Sequence, residues 1–334
     1  MSILGLDIGG ANTKVVHQDG TARCVPFALW KEPERLPELL AEVLGQVPAF
    51  TSLAVTMTAE LCDCFQTKRQ GVGAILDAVA AVAGRRPIHV WTTEGRFISP
   101  QEARGRPLAC AAANWHALAT FVARLYPRGR TLLLDTGSTT TDVILLEEGQ
   151  PRPRGLTDTQ RLGSGELVYI GAARTPLMSL GPRVGLGGTS FPVMAELFAT
   201  TRDTGILTGR LAEAPDCTDT ADGRPATALW CAARVLRMIG ADLEMMTIQD
   251  ATDLAQGFER TARDRIRAAA LTVASGTDVQ CIVLAGSGHR MAAGAVRSAL
   301  PDVRIERLAD RCGRVAGEAA CAWAVAKLKG AAQP

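Results

Sequence analysis

Two short stretches of the chain repeat a pattern of residues that suits the binding of a phosphate group. Asp7 and Asp135 each stand at the end of an apolar run, and glycine and polar residues follow each acid. Glycine lets a ligand approach the backbone closely, and successive N–H groups in such a turn can surround an anion. The candidate phosphate-binding residues are Gly9, Gly10, Asn12 and Thr13 in the first turn and Gly137, Ser138, Thr139 and Thr140 in the second.

The two acids are candidate ligands of a divalent cation. Because carboxylates and phosphate oxygens commonly bind Mg²⁺, we expect Asp7 and Asp135 to hold Mg²⁺ or another divalent cation, directly or through water. Lys14 follows the first turn and either contacts the phosphate or is solvated. The alternative for both acids is that they only end a strand at a turn. The metal hypothesis requires the two turns to face each other across a cleft.

A third glycine turn, formed by Gly286, Ser287 and Gly288, follows an apolar run and precedes an alanine-rich segment. Three such turns in this order resemble the actin, sugar-kinase and Hsp70 superfamily, in which two related domains enclose a phosphorylated ligand and a metal. The resemblance implies an α/β, two-domain actin-like ATPase fold with a central cleft. The third turn favours adenosine only weakly, since a glycine turn between a strand and a helix also serves packing, and ATP binding is left open.

The order of the elements predicts where the two domains begin and end. Residues 1–128 with 306–330 are expected to form the first domain, and residues 129–305 the second, with a loop-rich insertion at about 155–223. The first domain is expected to open with an antiparallel meander of three strands. Helices are expected at about 71–83, 110–125, 227–246, 259–274 and 314–328, and the last of them is expected to return to the first domain.

Composition and charge restrict the class of protein. A chain of 334 residues with 47% hydrophobic residues can bury the cores of two domains. The formal net charge of +2 and the dispersed basic residues predict no nucleic-acid partner. No apolar run reaches the roughly 20 residues of a membrane-spanning helix, and the start lacks the basic segment of a signal peptide. We therefore expect a soluble, cytoplasmic protein without a membrane partner, and homo-oligomer formation is left open.

The nine cysteines are scattered and odd in number, which argues against a disulfide framework. Cys62 and Cys64 form a close pair, but one intervening residue is fewer than zinc sites usually have. Buried reduced thiols are the expected state.

The stretch 56–65, Thr-Met-Thr-Ala-Glu-Leu-Cys-Asp-Cys-Phe, carries a narrower resemblance. Together with other blocks of the chain it resembles the methanofuran-biosynthesis synthase family, which is often labelled hydantoinase/oxoprolinase-like. The resemblance runs from residue 3 to about residue 325. The other blocks are 7–14, 111–115, 135–142, 165–169, 174–176, 198–201, 207–209 and 220–223.

This resemblance implies an ether-forming transferase. Members of the family join an aminomethylfuran that carries a methylene diphosphate to the phenol oxygen of a glutamyl-tyramine, and they release diphosphate. The small-molecule partners expected are therefore a furan diphosphate and a phenolic acceptor derived from tyramine or tyrosine. A cleft suited to the phosphates of ATP would hold the leaving diphosphate, whose charge a cation and backbone N–H groups would stabilise.

Under this interpretation Glu60 is the first candidate for the base that activates the phenol, because kinases of the superfamily often keep their base just after the corresponding strand. Asp63 is the second candidate, since it lies three residues on and could share a helical face with Glu60. The alternative is a surface pair of acids. Trp115, Tyr169 and Arg174 are candidates for an acceptor pocket, whereas the alternative for buried aromatic residues is a place in the core.

Two other functions stay open at this point. The three glycine turns also suit an ATP-dependent small-molecule kinase or a hydantoinase/oxoprolinase-type hydrolase. They equally suit a non-catalytic, nucleotide-binding scaffold of the actin-like kind.

Overall fold

The computed structural model describes residues 2–331 and shows an α/β fold with two large mixed β-sheets. The strands are β1 (Ile3–Ile8), β2 (Asn12–His17), β3 (Ala22–Pro26), β4 (Ser52–Met57), β5 (Ile88–Trp91), β6 (Phe97–Ile98), β7 (Arg130–Thr136), β8 (Thr141–Glu147), β9 (Gln150–Pro151), β10 (Leu167–Val168), β11 (Arg183–Leu186), β12 (Thr189–Pro192), β13 (Cys281–Ala285) and β14 (Arg304–Arg307). The α-helices are α1 (Leu36–Gly45), α2 (Lys68–Ala83), α3 (Pro100–Gly105), α4 (Pro107–Cys110), α5 (Asn114–Leu125), α6 (Asp158–Ser164), α7 (Thr201–Leu207), α8 (Ala228–Arg237), α9 (Ile248–Ala274), α10 (His289–Val296), α11 (Leu308–Cys312), α12 (Arg314–Glu318) and α13 (Ala320–Ala331). Within the described residues, none of these helices combines the length and the apolar character needed to cross a membrane.

The first sheet has the strand order β3-β2-β1-β4-β5-β6. Its central strand β1 is buried along its whole length. The sequence of β1 fits this position, because strands covered on both faces are nearly continuous apolar runs, and only Gly5 and Asp7 interrupt the run here. Strand β1 pairs antiparallel with β2 and parallel with β4, and β2 pairs antiparallel with β3. The predicted antiparallel meander of three strands is confirmed.

The second sheet has the order β10-β8-β7-β13-β14, with β9 paired to β8. Its hairpin of β7 and β8, which we call the second hairpin, repeats the first hairpin of β1 and β2. Asp7 lies opposite Lys14 in the first hairpin, and Asp135 lies opposite Asp142 in the second. The two aspartates therefore occupy equivalent positions, each seven residues before the residue that faces it.

The C-terminal helix α13 packs against β1, β2 and β4, which is where the last helix was predicted to return. The contact requires Gly5, because a Cβ atom at this position would overlap with the backbone carbonyl of Ala322. Helix α5 contacts β4 of the first sheet and β7 and β8 of the second. One buried cluster accordingly contains Ile3, Trp115 and Leu133, which come from the first sheet, α5 and the second sheet. The cores of the two sheets are thus continuous.

Two predicted helix bounds are wrong for local reasons. The helix predicted at 227–246 ends at Arg237, because the chain then turns with Gly240 in the left-handed region at φ +77°. The next helix begins at Ile248 instead of 259, since Thr247 and Asp250 form a capping box there.

Other segments match expectation in part. The segment 155–223 consists mostly of loops, as expected, and it also contains α6, α7 and the two-stranded sheet of β11 and β12. The helix predicted at 110–125 starts at Asn114, and the last helix is divided at Ala319 into α12 and α13. Strand β14 pairs with β13, so the chain stays in the second sheet up to Arg307, two residues beyond the predicted end of the second domain at residue 305.

The nine cysteines all have free thiols, as expected, but Cys24 is exposed and not buried.

The close packing of α13 on β1 leads to a test of the fold. Replacing Gly5 by alanine should lower the free energy of unfolding by about 1–3 kcal/mol or more, as overpacking of a tight core does. The matched control is Gly45→Ala, because nothing lies within 4 Å of a Cβ atom at the end of α1. Urea denaturation followed by circular dichroism measures both variants, and equal stabilities would contradict the packing of α13 on Gly5.

Candidate active site

Each of the two glycine turns is closed by a backbone hydrogen bond, and the two bonds are equivalent. The N–H of Gly9 donates to the carbonyl of Asn12 over 3.0 Å, and the N–H of Gly137 donates to the carbonyl of Thr140 over 2.9 Å. Each turn also has backbone N–H groups without a hydrogen-bond partner in residues 2–331, so donors are available for an anion. These N–H groups are those of Gly10, Ala11, Ser138 and Thr139.

Three aspartates of the two hairpins influence one another's ionisation. Burial raises the pKa of Asp7, Lys14 lowers it, and the charge of Asp142 raises it further. Burial and the charge of Asp142 raise the pKa of Asp135 to about 7, with a smaller contribution from Asp7. Burial raises the pKa of Asp142 as well. The acids of the two hairpins are therefore close enough for the charge of one to affect the ionisation of another.

Lys14 supplies positive charge to this group of acids. Burial lowers its pKa, but the charge of Asp7, together with neighbouring acidic groups such as Asp135, outweighs burial and leaves the pKa raised. Within residues 2–331, Lys14 forms no ion pair with a carboxylate. The thiol of Cys321, on α13, donates to Oδ2 of Asp135 over 3.8 Å. Lys14 therefore stays charged, and its ammonium group donates to no other group among the described residues.

Arg161, on α6, is a counter-charge that sequence reasoning missed. Its side chain is fully buried, and its Nη2 lies 2.9 Å from Oδ1 of Asp142. Its guanidinium stacks on Trp115, with Cζ 3.9 Å from the ring centre. Its Nε and Nη1 have no hydrogen-bond partner in the described part of the chain. Because buried donors without partners are rare, Arg161 is a candidate donor to a ligand.

Glu60 lies in a second charged group. It is buried, and its Oε1 lies 3.7 Å from Nζ of Lys68, which lies 2.6 Å from Oδ2 of Asp158. Burial raises the pKa of Glu60 to about 7, although backbone hydrogen bonds and Lys68 lower it, and Asp158 raises it. A Cβ atom at Gly71, on α2, would overlap with the backbone of Glu60, so this glycine lets the Glu60 turn lie on the helix. A carboxyl that titrates near neutral pH suits a general base.

The predicted pairing of Glu60 with Asp63 on one helical face is wrong. Residues 58–66 form successive turns without an α-helix. The N–H of Cys62 donates to Ala59, and the N–H of Phe65 donates to Cys62, as in consecutive tight turns. Asp63 is exposed, whereas Glu60 is 1% exposed, so the alternative of a surface pair fails for Glu60.

The third glycine turn packs against the second. The N–H of Gly288 donates to the carbonyl of Thr136 over 2.8 Å. A Cβ atom at Gly286 would overlap with Asp135 and Thr136, and one at Gly288 would overlap with Thr136. Ser287 is exposed. These glycines therefore hold β13 against the Asp135 turn, which is the packing role that the sequence left open beside adenosine binding.

The three residues predicted for an acceptor pocket have different surroundings. Trp115 is 2% exposed and lies in the core, where it supports Arg161. Tyr169 is 66% exposed. Arg174 is partly exposed, and its backbone N–H donates to the carbonyl of Ser138 over 2.8 Å. Of the three, only Arg174 is both partly accessible and hydrogen-bonded to the second glycine turn.

Asp7 and Asp135 fit a Mg²⁺ site in which phosphate oxygens supply further ligands to the ion. Oδ1 of Asp7 is buried without a hydrogen-bond partner in residues 2–331, which leaves an oxygen for a cation. No three His, Cys, Asp or Glu side chains in the described residues converge as a complete metal cage. Mg²⁺ typically binds through one or two carboxylates, water and substrate phosphates. Asp7 and Asp135 would supply those carboxylates.

Two surface cavities, of about 390 and 480 Å³, lie at other places in the fold. The first lies between the β11–β12 hairpin and α9, and the second lies beside Arg154 and the end of α9. No predicted site residue lines either cavity. The candidate site is therefore defined by its charged groups and unpaired donors.

Comparison with known proteins gives the family. The family model described as hydantoinase/oxoprolinase matches residues 52–328. The chain belongs to the hydantoinase/oxoprolinase family. A relative from Methanocaldococcus jannaschii, the (4-{4-[2-(gamma-L-glutamylamino)ethyl]phenoxymethyl}furan-2-yl)methanamine synthase, is 33% identical over 329 residues, which are 98% of this chain and 97% of the relative. The resemblance carried by the sequence blocks is thus confirmed.

A second relative and one solved structure extend the comparison. A synthase of the same name from Methanococcus vannielii is 30% identical over 160 residues, which are 48% of this chain and 72% of the relative. The ROK family glucokinase from Streptomyces griseus in complex with glucose and AMPPNP has a TM-score of 0.50 at 13% identity, covering 98% of this chain and 99% of that chain. This likeness shows the fold alone, and the predicted actin-like fold of this hydantoinase/oxoprolinase family member is confirmed.

The surroundings of Glu60 predict how its replacement changes stability with pH. Its pKa in the folded chain is raised to about 7, so its contribution to stability is full below its ordinary pKa of 4.5 and is lost as the pH rises through 7. Glu60→Gln removes the buried charge and should raise the melting temperature by roughly 2 °C at pH 8, but by less at pH 5. Glu38→Gln, on the surface of α1, is the control and should change neither value. Calorimetry at both pH values checks this, and an equal gain at pH 5 and pH 8 would contradict the raised pKa.

Proposed function

We propose that this protein is the ether-forming transferase of methanofuran-type cofactor biosynthesis. It joins an aminomethylfuran methyl diphosphate to the phenol oxygen of a glutamyl-tyramine or tyrosine-derived acceptor and releases diphosphate. The observation that carries the proposal is 33% identity, over nearly the whole of both chains, to a synthase whose name describes a phenoxymethyl ether of a furan.

The two phosphate turns form the site of the leaving group. The bond between the methylene carbon and the diphosphate oxygen breaks, the electron pair stays with diphosphate, and the furan ring delocalises the positive charge left on carbon. The unpaired N–H groups of the turns, the charged Lys14 and the buried donors of Arg161 stabilise the departing anion. A bound Mg²⁺, held by Asp7 and Asp135, would neutralise further charge on the diphosphate.

Glu60 is the base for the phenol. A phenol with a pKa of about 10 is mostly protonated at neutral pH. Burial raises the pKa of Glu60 to about 7, so its carboxylate is a stronger base than an exposed glutamate and is still substantially ionised at neutral pH. The proton passes from the phenol oxygen to Glu60 as the new carbon–oxygen bond forms. Lys68, whose Nζ lies 3.7 Å from Oε1 of Glu60, supplies a nearby positive charge that lowers the pKa of Glu60.

The kinase and scaffold alternatives have less support. Both rest on the three glycine turns, and the glycines of the third turn, which would contact adenosine, pack against Thr136 and Asp135. The glucokinase likeness at 13% identity does not extend to ligands.

If departure of diphosphate runs ahead of attack by the phenol, the rates of two variants should differ in a predictable order. General-base assistance is typically worth about 10²- to 10⁴-fold, and Glu60→Gln should lower the single-turnover rate within that range. Asp135→Asn should lower it more, because departure of diphosphate creates the main charge and the furfuryl-type cation is already a strong electrophile. The measurement is diphosphate release from the furan diphosphate at saturating Mg²⁺ and acceptor, with Glu38→Gln as the control. A larger loss in Glu60→Gln would show that deprotonation leads the reaction, and release of phosphate from ATP without ether formation would overturn the proposed function.

The leaving-group site also predicts which ligand stabilises the folded chain. Mg²⁺ with diphosphate should raise the melting temperature by mass action, by the equivalent of about 2.7 kcal/mol at a concentration of 100 Kd. Asp7→Asn should lose most of this shift, because it replaces a carboxylate, one of whose buried oxygens has no partner among the described residues, with a neutral amide that binds a cation weakly. The comparison is with Mg²⁺ and a non-hydrolysable ATP analogue. A shift with the analogue and none with diphosphate would favour the kinase.

A further inference from the structure

Two partly buried arginines lie beside the second phosphate turn. The backbone N–H of Arg174 donates to the carbonyl of Ser138 over 2.8 Å. The backbone N–H of Arg202, at the start of α7, donates to the carbonyl of Ala173 over 3.2 Å. The backbone of each arginine is thus tied to the turn or to the segment that follows it. Their side chains are 32% and 24% exposed, respectively.

A tryptophan next to the first phosphate turn meets the same arginine. The N–H of Leu29 donates to the carbonyl of Gly10 over 2.9 Å, which fixes the segment that carries Trp30. Cζ of Arg174 lies 5.0 Å from the centre of the Trp30 ring. The aromatic face orients the guanidinium by a cation–π contact. The arginine pair therefore lies where segments from the two phosphate turns meet.

Both guanidinium groups face one exposed carboxylate without a hydrogen bond to it. Oδ2 of Asp219 lies 3.7 Å from Nη1 of Arg174 and 3.9 Å from Nη2 of Arg202, and hydrogen bonds are shorter than this. The Asp219 side chain is 75% exposed, so solvent screens the pair and it contributes little to stability. Nη1 of Arg202 contacts the sulfur of Cys217 at 3.2 Å, which leaves Nη2 toward the shared anion position.

Two buried arginine pairs of the chain have a different geometry. Nε of Arg234 lies 2.7 Å from Asp203, and Nη2 of Arg210 lies 2.8 Å from Glu259, with all four side chains at most 9% exposed. Those pairs are direct and buried, as expected of arginines that hold the fold together. By contrast, the contacts of Arg174 and Arg202 with Asp219 are longer and accessible, which leaves both guanidinium groups without a hydrogen-bonded anion among the described residues.

We propose that Arg174 and Arg202 bind a carboxylate of the phenolic acceptor, which displaces Asp219. The planar fork of arginine matches a carboxylate. The inference rests on the proposed function, because the product in the relative's name bears a γ-glutamyl group, whose α-carboxylate is free. A tyrosine-derived acceptor offers a carboxylate nearer its ring, and the two sources share this chemistry.

Calorimetric titration of the full chain with matched acceptors tests the site without turnover. The first pair is γ-glutamyltyramine and 4-aminobutanoyltyramine, which differ only in the α-carboxylate. The second pair is tyrosine and tyramine. In one pair, removing the carboxylate should weaken binding by about 10- to 100-fold, as loss of a charged hydrogen-bonded contact does. The pair that shows the loss identifies the source of the carboxylate.

Variants then assign the effect to the arginines. Arg174→Gln and Arg202→Gln should weaken binding of the carboxylate-bearing acceptor by a similar factor and leave the acceptor without the carboxylate unchanged. Asp219→Asn should bind the carboxylate-bearing acceptor at least as tightly as the unaltered chain, because a competing charge is gone. The control is Arg152→Gln, whose guanidinium lies 3.7 Å from Glu147 outside both turns. Circular dichroism verifies that each variant is folded.

Three results would overturn the inference. The first is equal affinity, or no binding, for both members of each acceptor pair. The second is that the arginine variants weaken the binding of both members equally, and the third is that they weaken only the binding of the furan diphosphate. Ether formation without discrimination between acceptors would sink this inference and leave the proposed function intact. Discrimination between acceptors without ether formation would contradict the proposed function and leave the carboxylate site at Arg174 and Arg202 intact.

Discussion

The candidate site depends on one electrostatic constraint. Three carboxylates from two hairpins lie where burial disfavours their charged form. The pKa values of Asp7, Asp135 and Asp142 are all raised by burial. Lys14 and Arg161 offset part of this cost, because buried charges persist only when opposite charges compensate them. A cation bound with a phosphate would stabilise the ionised acids further. Ligand binding and ionisation of these acids therefore favour each other.

The repeated hairpin also explains how charge is divided within the site. At equivalent positions the first hairpin carries Lys14 opposite Asp7, and the second carries Asp142 opposite Asp135. The first hairpin is thus internally compensated, whereas the second has two acids and requires Arg161 from α6. One backbone motif therefore gives two turns of the same shape and different charge. A bound anion would be attracted to the lysine of the first hairpin and to the unpaired donors of the arginine.

Sequence reasoning reached the parts of the structure that local patterns determine. An apolar run that ends in an aspartate and a glycine predicts a strand and a turn, so both hairpins followed from the sequence. The repeated seven-residue spacing could also have identified Asp142. Lys68, Asp158 and Arg161 carry no such signal, because their positions depend on how α2 and α6 pack against the turns. Helix bounds were missed where local signals decide them, because a turn with left-handed Gly240 follows the end of α8 and the capping box at Thr247 begins α9.

The strength of the proposed base depends on a contact that joins the two sides of the site. Lys68, on α2, lies 2.6 Å from Asp158 on α6 and 3.7 Å from Glu60. Lys68 lowers the pKa of Glu60 and Asp158 raises it. If α6 moved away, Glu60 would lose the neighbouring negative charge and Lys68 would be free to pair with it, so both changes would lower the pKa. Glu60 is therefore most basic when α2 and α6 are together. Arg161 lies beside Asp142 in the same arrangement, so the packing that brings together the proposed leaving-group site also strengthens the proposed base.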